Sequence, residues 1–157
     1  MSYATIRTAL ATAIGAVAGI TGGAGKVIKY EPHISREEDY RTAFTNAGNT
    51  IVNAWTITRD SRRETQKDAG FRFVRSHSIV VTGRYGLGND GATEETFQDL
   101  TDTVADALRA LLTVWPDQPE GGNAVQVENI GYERHGRFLV HMAKMRLTID
   151  EVAVISA

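Results

Sequence analysis

The sequence predicts an α+β fold: a mostly antiparallel sheet of about five strands with two main helices packed on one face. Two long segments repeat apolar residues at spacings of three and four, and about five shorter segments are rich in β-branched and aromatic residues, mostly placed as hairpin pairs. A chain of 157 residues has the length of one domain and can bury roughly 70% of the surface that its unfolded form exposes. A single domain over residues 1–157 is therefore expected, with residues 150–157 as an extended C-terminal tail.

The first element runs from Tyr3 to Val17, where Ile6, Leu10, Ile14 and Val17 fall on one helical face. Gly19, Gly22, Gly23 and Gly25 then end the helix. Lys26 to Tyr30 reads as a short extended segment. After Pro32, the run Ser35, Arg36, Glu37, Glu38 fits a capping box in which Ser35 and Glu38 satisfy each other's amides, opening a short helix through Tyr40 and Phe44. Thr50 to Arg59 is a strand with Ile51, Trp55 and Ile57 on one face and Asn53 between them. Arg59 to Gly70 is so polar that it reads as a long charged loop, and Phe71 to Thr82 alternates again as the returning strand.

Tyr85 to Ala92 is a glycine-rich loop, and Thr93, Glu94 and Glu95 have the composition of a helix start. The helix carries Phe97, Leu100, Val104, Leu108, Leu111 and Trp115 at spacings of three and four and should stop at Pro116. Asp117 to Gly122 is a connector. Val125 to Tyr132 and Phe138 to Ile149 form the closing strand pair around a tight turn at His135 and Gly136. The last strand places Leu139, Ala143, Met145, Leu147 and Ile149 on one face, with His141 among them.

Composition removes several kinds of chemistry. With no cysteine, the chain has no disulfides, zinc ribbons, iron–sulfur clusters or thiol nucleophiles. A net charge of −2 gives no global pull toward phosphate backbones or anionic membranes. The most apolar stretch, Ala9 to Ile20, is too short to span a bilayer and lacks the basic flank and cleavage region of a signal peptide, so no membrane association and a soluble intracellular protein are expected.

The motifs that suggest enzymes lack their context. Gly86, Gly88 and Gly91 spell G-x-G-x-x-G, but a dinucleotide site needs the third glycine inside the helix and a following parallel strand with an acid at its end. A strand-to-helix loop fits better. Around Gly22 to Lys26 the spacing and order of a phosphate-binding loop both fail, since Val27 stands where Ser or Thr is required and the helix precedes the loop. His33, His77, His135 and His141 show no metal-site spacing, although His77 and His141 lie in predicted strands and could meet across the sheet. G-x-S-x-G is absent, and the pairs Glu37 with Glu38 and Glu94 with Glu95 sit at helix starts, where capping explains them. No enzyme, cofactor or metal is expected.

The Arg59 to Gly70 segment, with four basic and three acidic side chains, is either a solvated loop or a contact surface. Trp55 reads as core, and the apolar tail Val152, Val154, Ile155 reads as strand extension or as a segment that pairs with a neighbour.

Taken in order, these elements resemble the tail terminator proteins of long-tailed phages, the family of tail completion or minor tail proteins typified by the lambda tail terminator. Its members have an amphipathic N-terminal helix, a strand, a variable segment, a hairpin, a long helix and a closing hairpin. The matching pieces are the Thr5 to Val17 helix, the strands at Thr50 to Arg59 and Phe71 to Thr82, the helix from Glu94 to Leu112, and the hairpin in which Gly131 to Arg134 leads into Phe138 to Ile149. Ser78 to Gly83 before an acidic helix start, and the last strand ending in Thr148, Ile149, Asp150 and Glu151, carry the resemblance most closely.

The resemblance implies a structural virion protein assembled in the host cytoplasm. It would form a homohexameric ring on the head-proximal end of the tail, bind the major tail tube protein, stop tube growth and offer a docking surface to the head–tail connector or neck protein, with DNA passing through the lumen unrecognised. On that reading Arg59, Arg62, Arg63, Glu64 and Lys67 are the docking residues, followed by the loop with Tyr85, Asn89 and Asp90 and by the Ser35 to Phe44 insertion. Two alternatives stand beside it. One is a different neck or head-completion protein that binds the portal, and the other is a small nucleotide-binding α+β enzyme using the Gly86 to Gly91 loop.

Overall fold

The computed structural model describes residues 2–48, 50–67, 72–87, 92–116 and 124–154. In chain order the elements are α1 (Tyr3–Gly15), β1 (Lys26–Ile28), α2 (Glu37–Phe44), β2 (Asn53–Gln66), β3 (Arg72–Gly86), α3 (Ala92–Thr113), β4 (Gln126–His135) and β5 (Phe138–Val154). One sheet in the order β1-β2-β3-β5-β4 contains every strand, and all neighbours are antiparallel except β1, which runs parallel to β2. The expected α+β class and five-strand sheet are what the chain adopts.

α1 and α3 pack against each other and onto one face of the sheet. Ile6, Leu10 and Ile14 of α1 are buried with Trp55, Ile57, Ile79, Val81, Val104, Leu108, Met145 and Ile149, the two periodicities meeting as the apolar stripes require. Ser2 caps α1 by accepting from the Thr5 amide at 3.4 Å. The chain leaves the helix through Gly19, Gly22 and Gly23, all at positive φ, and the Asn53 side-chain amide ties this turn to β2 by donating to the Gly19 and Ala24 carbonyls at 2.9 and 3.0 Å. Gly83 is a steric requirement: a β-carbon there would sit 2.5 Å from Trp55 Cζ3, so the indole lies flat over the β3 backbone.

α2 covers the opposite face at one end. Tyr40 and Phe44, with ring centroids 4.7 Å apart, pack with Val52, Ala54 and Val140 into a second small core. The helix starts one residue later than its capping box predicts: Arg36 is the N-cap, and the carboxylate that accepts from the Arg36 and Ser35 amides, at 2.9 and 3.3 Å, belongs to Asp39 rather than Glu38.

The main departure is at Arg59 to Gly70. Its described part up to Gln66 is strand, not loop: β2 and β3 stay paired from Asn53–Tyr85 out to Gln66–Phe73, and β5 follows β3 outward to Val154. The two strands therefore form a long ribbon, three strands wide in its outer half. Asp150 to Val154 of the anticipated tail extends β5, while residues 155–157 lie outside the described residues, as do Gly70, Phe71, Gly88, Gly91 and the Asp117 to Gly122 connector. Tyr85 and Gly86 belong to β3 rather than a loop. Helix α3 includes Thr93 and ends at Thr113, before Pro116. The closing turn is Gly136 and Arg137, since His135 pairs with Phe138; Gly136 has φ of 59°, as a tight two-residue turn demands.

Candidate assembly interface

The outer half of the ribbon is where sequence and structure concentrate exposed charge. From Arg59 to Gln66 every residue of β2 is exposed. A register shift between Arg59 and Ser61 inserts Asp60 as a bulge, so Arg62 and Glu64 lie on the helix-covered face and Arg63 on the other. Glu64 accepts from Arg75 Nε at 2.7 Å and lies 3.7 Å from Arg62. The Arg75 hydrogen bond holds the Glu64 carboxyl below its usual range and raises Arg75 in turn. Arg59 stacks on the Tyr3 ring at 4.4 Å, and Lys67 closes the ribbon through its amide to the Arg72 carbonyl at 3.0 Å.

Arg59, Arg62, Arg63, Glu64 and Lys67 thus share one strand and its end. Tyr85 does not join them. It sits opposite Asn53, at the other end of the ribbon, stacked on Phe97 at 6.1 Å. Asn89 and Asp90 lie outside the described residues.

Beneath Tyr3 is a cluster whose composition gave no signal in the sequence. His77 is 1% exposed and stacks on the Tyr3 ring at 5.7 Å; its Nε2 is 3.5 Å from Oε1 of Glu151, itself 3% exposed and 3.5 Å from Arg75. Burial pushes the His77 pKa down, and the neighbouring Glu151 only partly offsets it. His77 and His141 do not meet. The register places His77 against Ile149 and His141 against Tyr85, and His141 packs on Phe97 with its Nε2 3.1 Å from Thr93 Oγ1.

The sheet face opposite α1 and α3 is polar beyond α2 and is held by two arginines. Arg84 on β3 donates to Glu31 at 2.8 Å and to Glu133 on β4 at 2.7 Å, with its guanidinium over the Phe44 ring. Arg146 on β5 donates to Glu128 at 2.6 Å, Asp60 at 2.7 Å and Ser78 at 3.0 Å. Asp60 and Glu128 are the extra residues at the register shifts of β2 and β4. Each bulge turns a carboxylate toward the same guanidinium, so one side chain links both outer strands across the sheet. Those two hydrogen bonds raise the Arg146 pKa.

Among the described residues, neither sheet margin carries a further strand. Among the described residues, β1 covers only Ala54 to Thr56 of β2, and no strand pairs with the outer side of Ser61 to Thr65. β4 ends the sheet at the other margin and exposes Val127, Ile130 and Tyr132, the last two at 50% and 58%. These three side chains share the helix-covered face, pairing in register with Met145, Ala143 and His141. Tyr132 donates to Glu94 at the start of α3 at 3.4 Å.

Among the described residues, no three His, Cys, Asp or Glu side chains gather as a metal site requires, and no helix is long and apolar enough to cross a membrane. No protein-family model matches the chain, and no curated protein matches it.

Proposed function

We propose that this chain is a structural assembly protein that forms a ring on the head-proximal end of a phage tail tube, stops tube growth and presents a surface to the head connector. The observation that carries this reading is a single sheet with two long open margins, one of them on a charged ribbon that extends past the helical layer. Such a margin offers backbone donors and acceptors to another chain, and its mixed charge selects among partners. The order of helix, strand, short helix, ribbon, long helix and closing hairpin supports the same reading, because it is the order that the family resemblance implies. Capping a growing polymer needs binding alone, with no bond made or broken.

Adding the purified protein to polymerising tail tube protein tests the proposal. Elongation followed by light scattering should stop at an amount of capping protein far below that of tube protein. Unchanged elongation with excess protein would contradict termination. Capture by the portal without any by tube ends would favour a head-side neck role instead.

A further inference from the structure

The two open margins of the sheet are suited to each other. In the outer part of β2, the bond from the Lys67 amide to the Arg72 carbonyl sets the ladder, so the backbone groups of Arg62 and Glu64 point away from β3. In β4, the Leu87 amide donates to the Leu139 carbonyl at 3.3 Å, which turns Leu139 toward β3. Its β4 partner Arg134, and with it Tyr132 and Ile130, therefore points backbone groups outward. Side chains of both outward sets lie on the helix-covered face. Joined edge to edge, two copies would continue one sheet with their helices on the same side.

Direction and charge agree with this. Within one copy β2 and β4 run in opposite directions. Copies that continue one sheet would therefore meet β2 to β4 as an antiparallel pair; outer β2 lies level with Ile149 to Ala153 of β5 and the β4 edge with Leu139 to Ala143, so neighbours are staggered along the strands and a ring built this way has its axis inclined to them. Residues 59–67 carry Arg59, Arg62, Arg63 and Lys67 against Asp60 and Glu64. On the β4 side Glu128 and Glu133 are already taken up by Arg146 and Arg84, and the acidic surface is that of α3, whose exposed positions hold Glu94, Glu95, Asp99, Asp102 and Asp106 against Arg109. The basic edge then faces an acidic helix. Pairing β4 with β4 would instead bring two acidic helices together. The apolar strip of Val127, Ile130 and Tyr132 gives such a contact a surface to bury.

We propose that the outer β2 edge of one copy pairs antiparallel with the β4 edge of the next, a head-to-tail contact that builds the oligomer. The proposal supplies the interface of the ring described above and rests on that reading. Ile130→Pro and Arg62→Pro each remove one outward-facing amide while sparing the bonds inside the sheet. Ile130→Lys and Arg63→Glu form a second pair that leaves the backbone intact.

Light scattering coupled to size exclusion should show a closed oligomer for the natural chain and monomers for each variant. Mixing the β2-edge variant with the β4-edge variant should give a dimer and nothing larger, because each retains one competent edge. A natural chain that stays monomeric at high concentration, or variants of both pairs that still form the full oligomer, would overturn the edge pairing. So would a β4-edge variant that is monomeric while the β2-edge variant still associates, the mark of a symmetric β4 contact. An oligomer that follows this pattern but leaves tube growth unchanged would uphold the interface and sink the tail-capping role.

Discussion

The inner and outer halves of the β2–β3 ribbon share the same two strands and differ in almost everything else. Asn53 to Ile57 are all buried, and Arg59 to Gln66 are all exposed. Both halves have a continuous ladder, so backbone pairing does not separate them. The layer above does: α1 and α3 cover the inner half, and Tyr3 in the first turn of α1 reaches the outer half at Arg59 and His77. Apolar burial holds the inner half, whereas the outer half depends on its ladder and on charged pairs that contribute little each. A region arranged in this way is free to offer its edge to another chain.

The largest loss of stability is expected where the inner half is emptied. Trp55→Ala removes a fully buried indole and should cost about 3–5 kcal/mol in urea unfolding. Gly83→Ala pushes a methyl group into the same indole and should cost about 1–3 kcal/mol by the same measurement. If either variant kept the natural midpoint, the packing contrast would fail.

At the junction of the halves, His77 tests the contrast through pH. Its folded pKa lies below the ordinary 6.5, because burial disfavours the cation, and burial lowers His141 in the same direction. The unfolded state therefore binds more protons as pH drops through 6.5, and stability should fall from pH 7 downward until the folded-state pKa is passed. Thermal melts across that window should show the decline, and His77→Gln should flatten it while leaving the share due to His141. Stability that rose on acidification would contradict a buried neutral histidine.

Smaller effects belong to the outer half. Arg146→Met leaves Asp60 and Glu128 without their shared cation. It should lower the melting temperature modestly and reduce its sensitivity to salt, both read from melts at low and high ionic strength. Arg63→Glu should change unfolding stability by less than about 0.5 kcal/mol, as at other exposed positions, while abolishing association. An Arg63→Glu chain that unfolds much earlier would mean that the outer half serves the fold.

This division also explains which parts of the structure could be read from the residues. Ile6, Leu10 and Ile14, or Ala143, Met145, Leu147 and Ile149, bury one face against water on the other and therefore announce their period. Arg59 to Gln66 has solvent on both faces, so no alternation marks it as a strand; its conformation comes from pairing with Arg72 to Ile79, which only the fold supplies. The bulge at Asp60 then reverses which side chains face the helices, a change no local pattern encodes. Arg59, Arg62, Arg63, Glu64 and Lys67 were recognisable as a charged group because they lie within nine positions of one another. The Arg146 link, the His77–Glu151 pair and the β4 edge were not, since each depends on strand order and register.

Hydrogen exchange of the assembled protein against the monomeric Ile130→Lys variant tests most directly whether the outer ribbon is completed by another copy. Amides of Arg62, Glu64, Ile130, Tyr132 and Arg134 should exchange quickly in the monomer and slowly in the assembly, with inner residues such as Trp55 and Val81 slow in both. Equal exchange at the outer amides in the two forms would contradict the account.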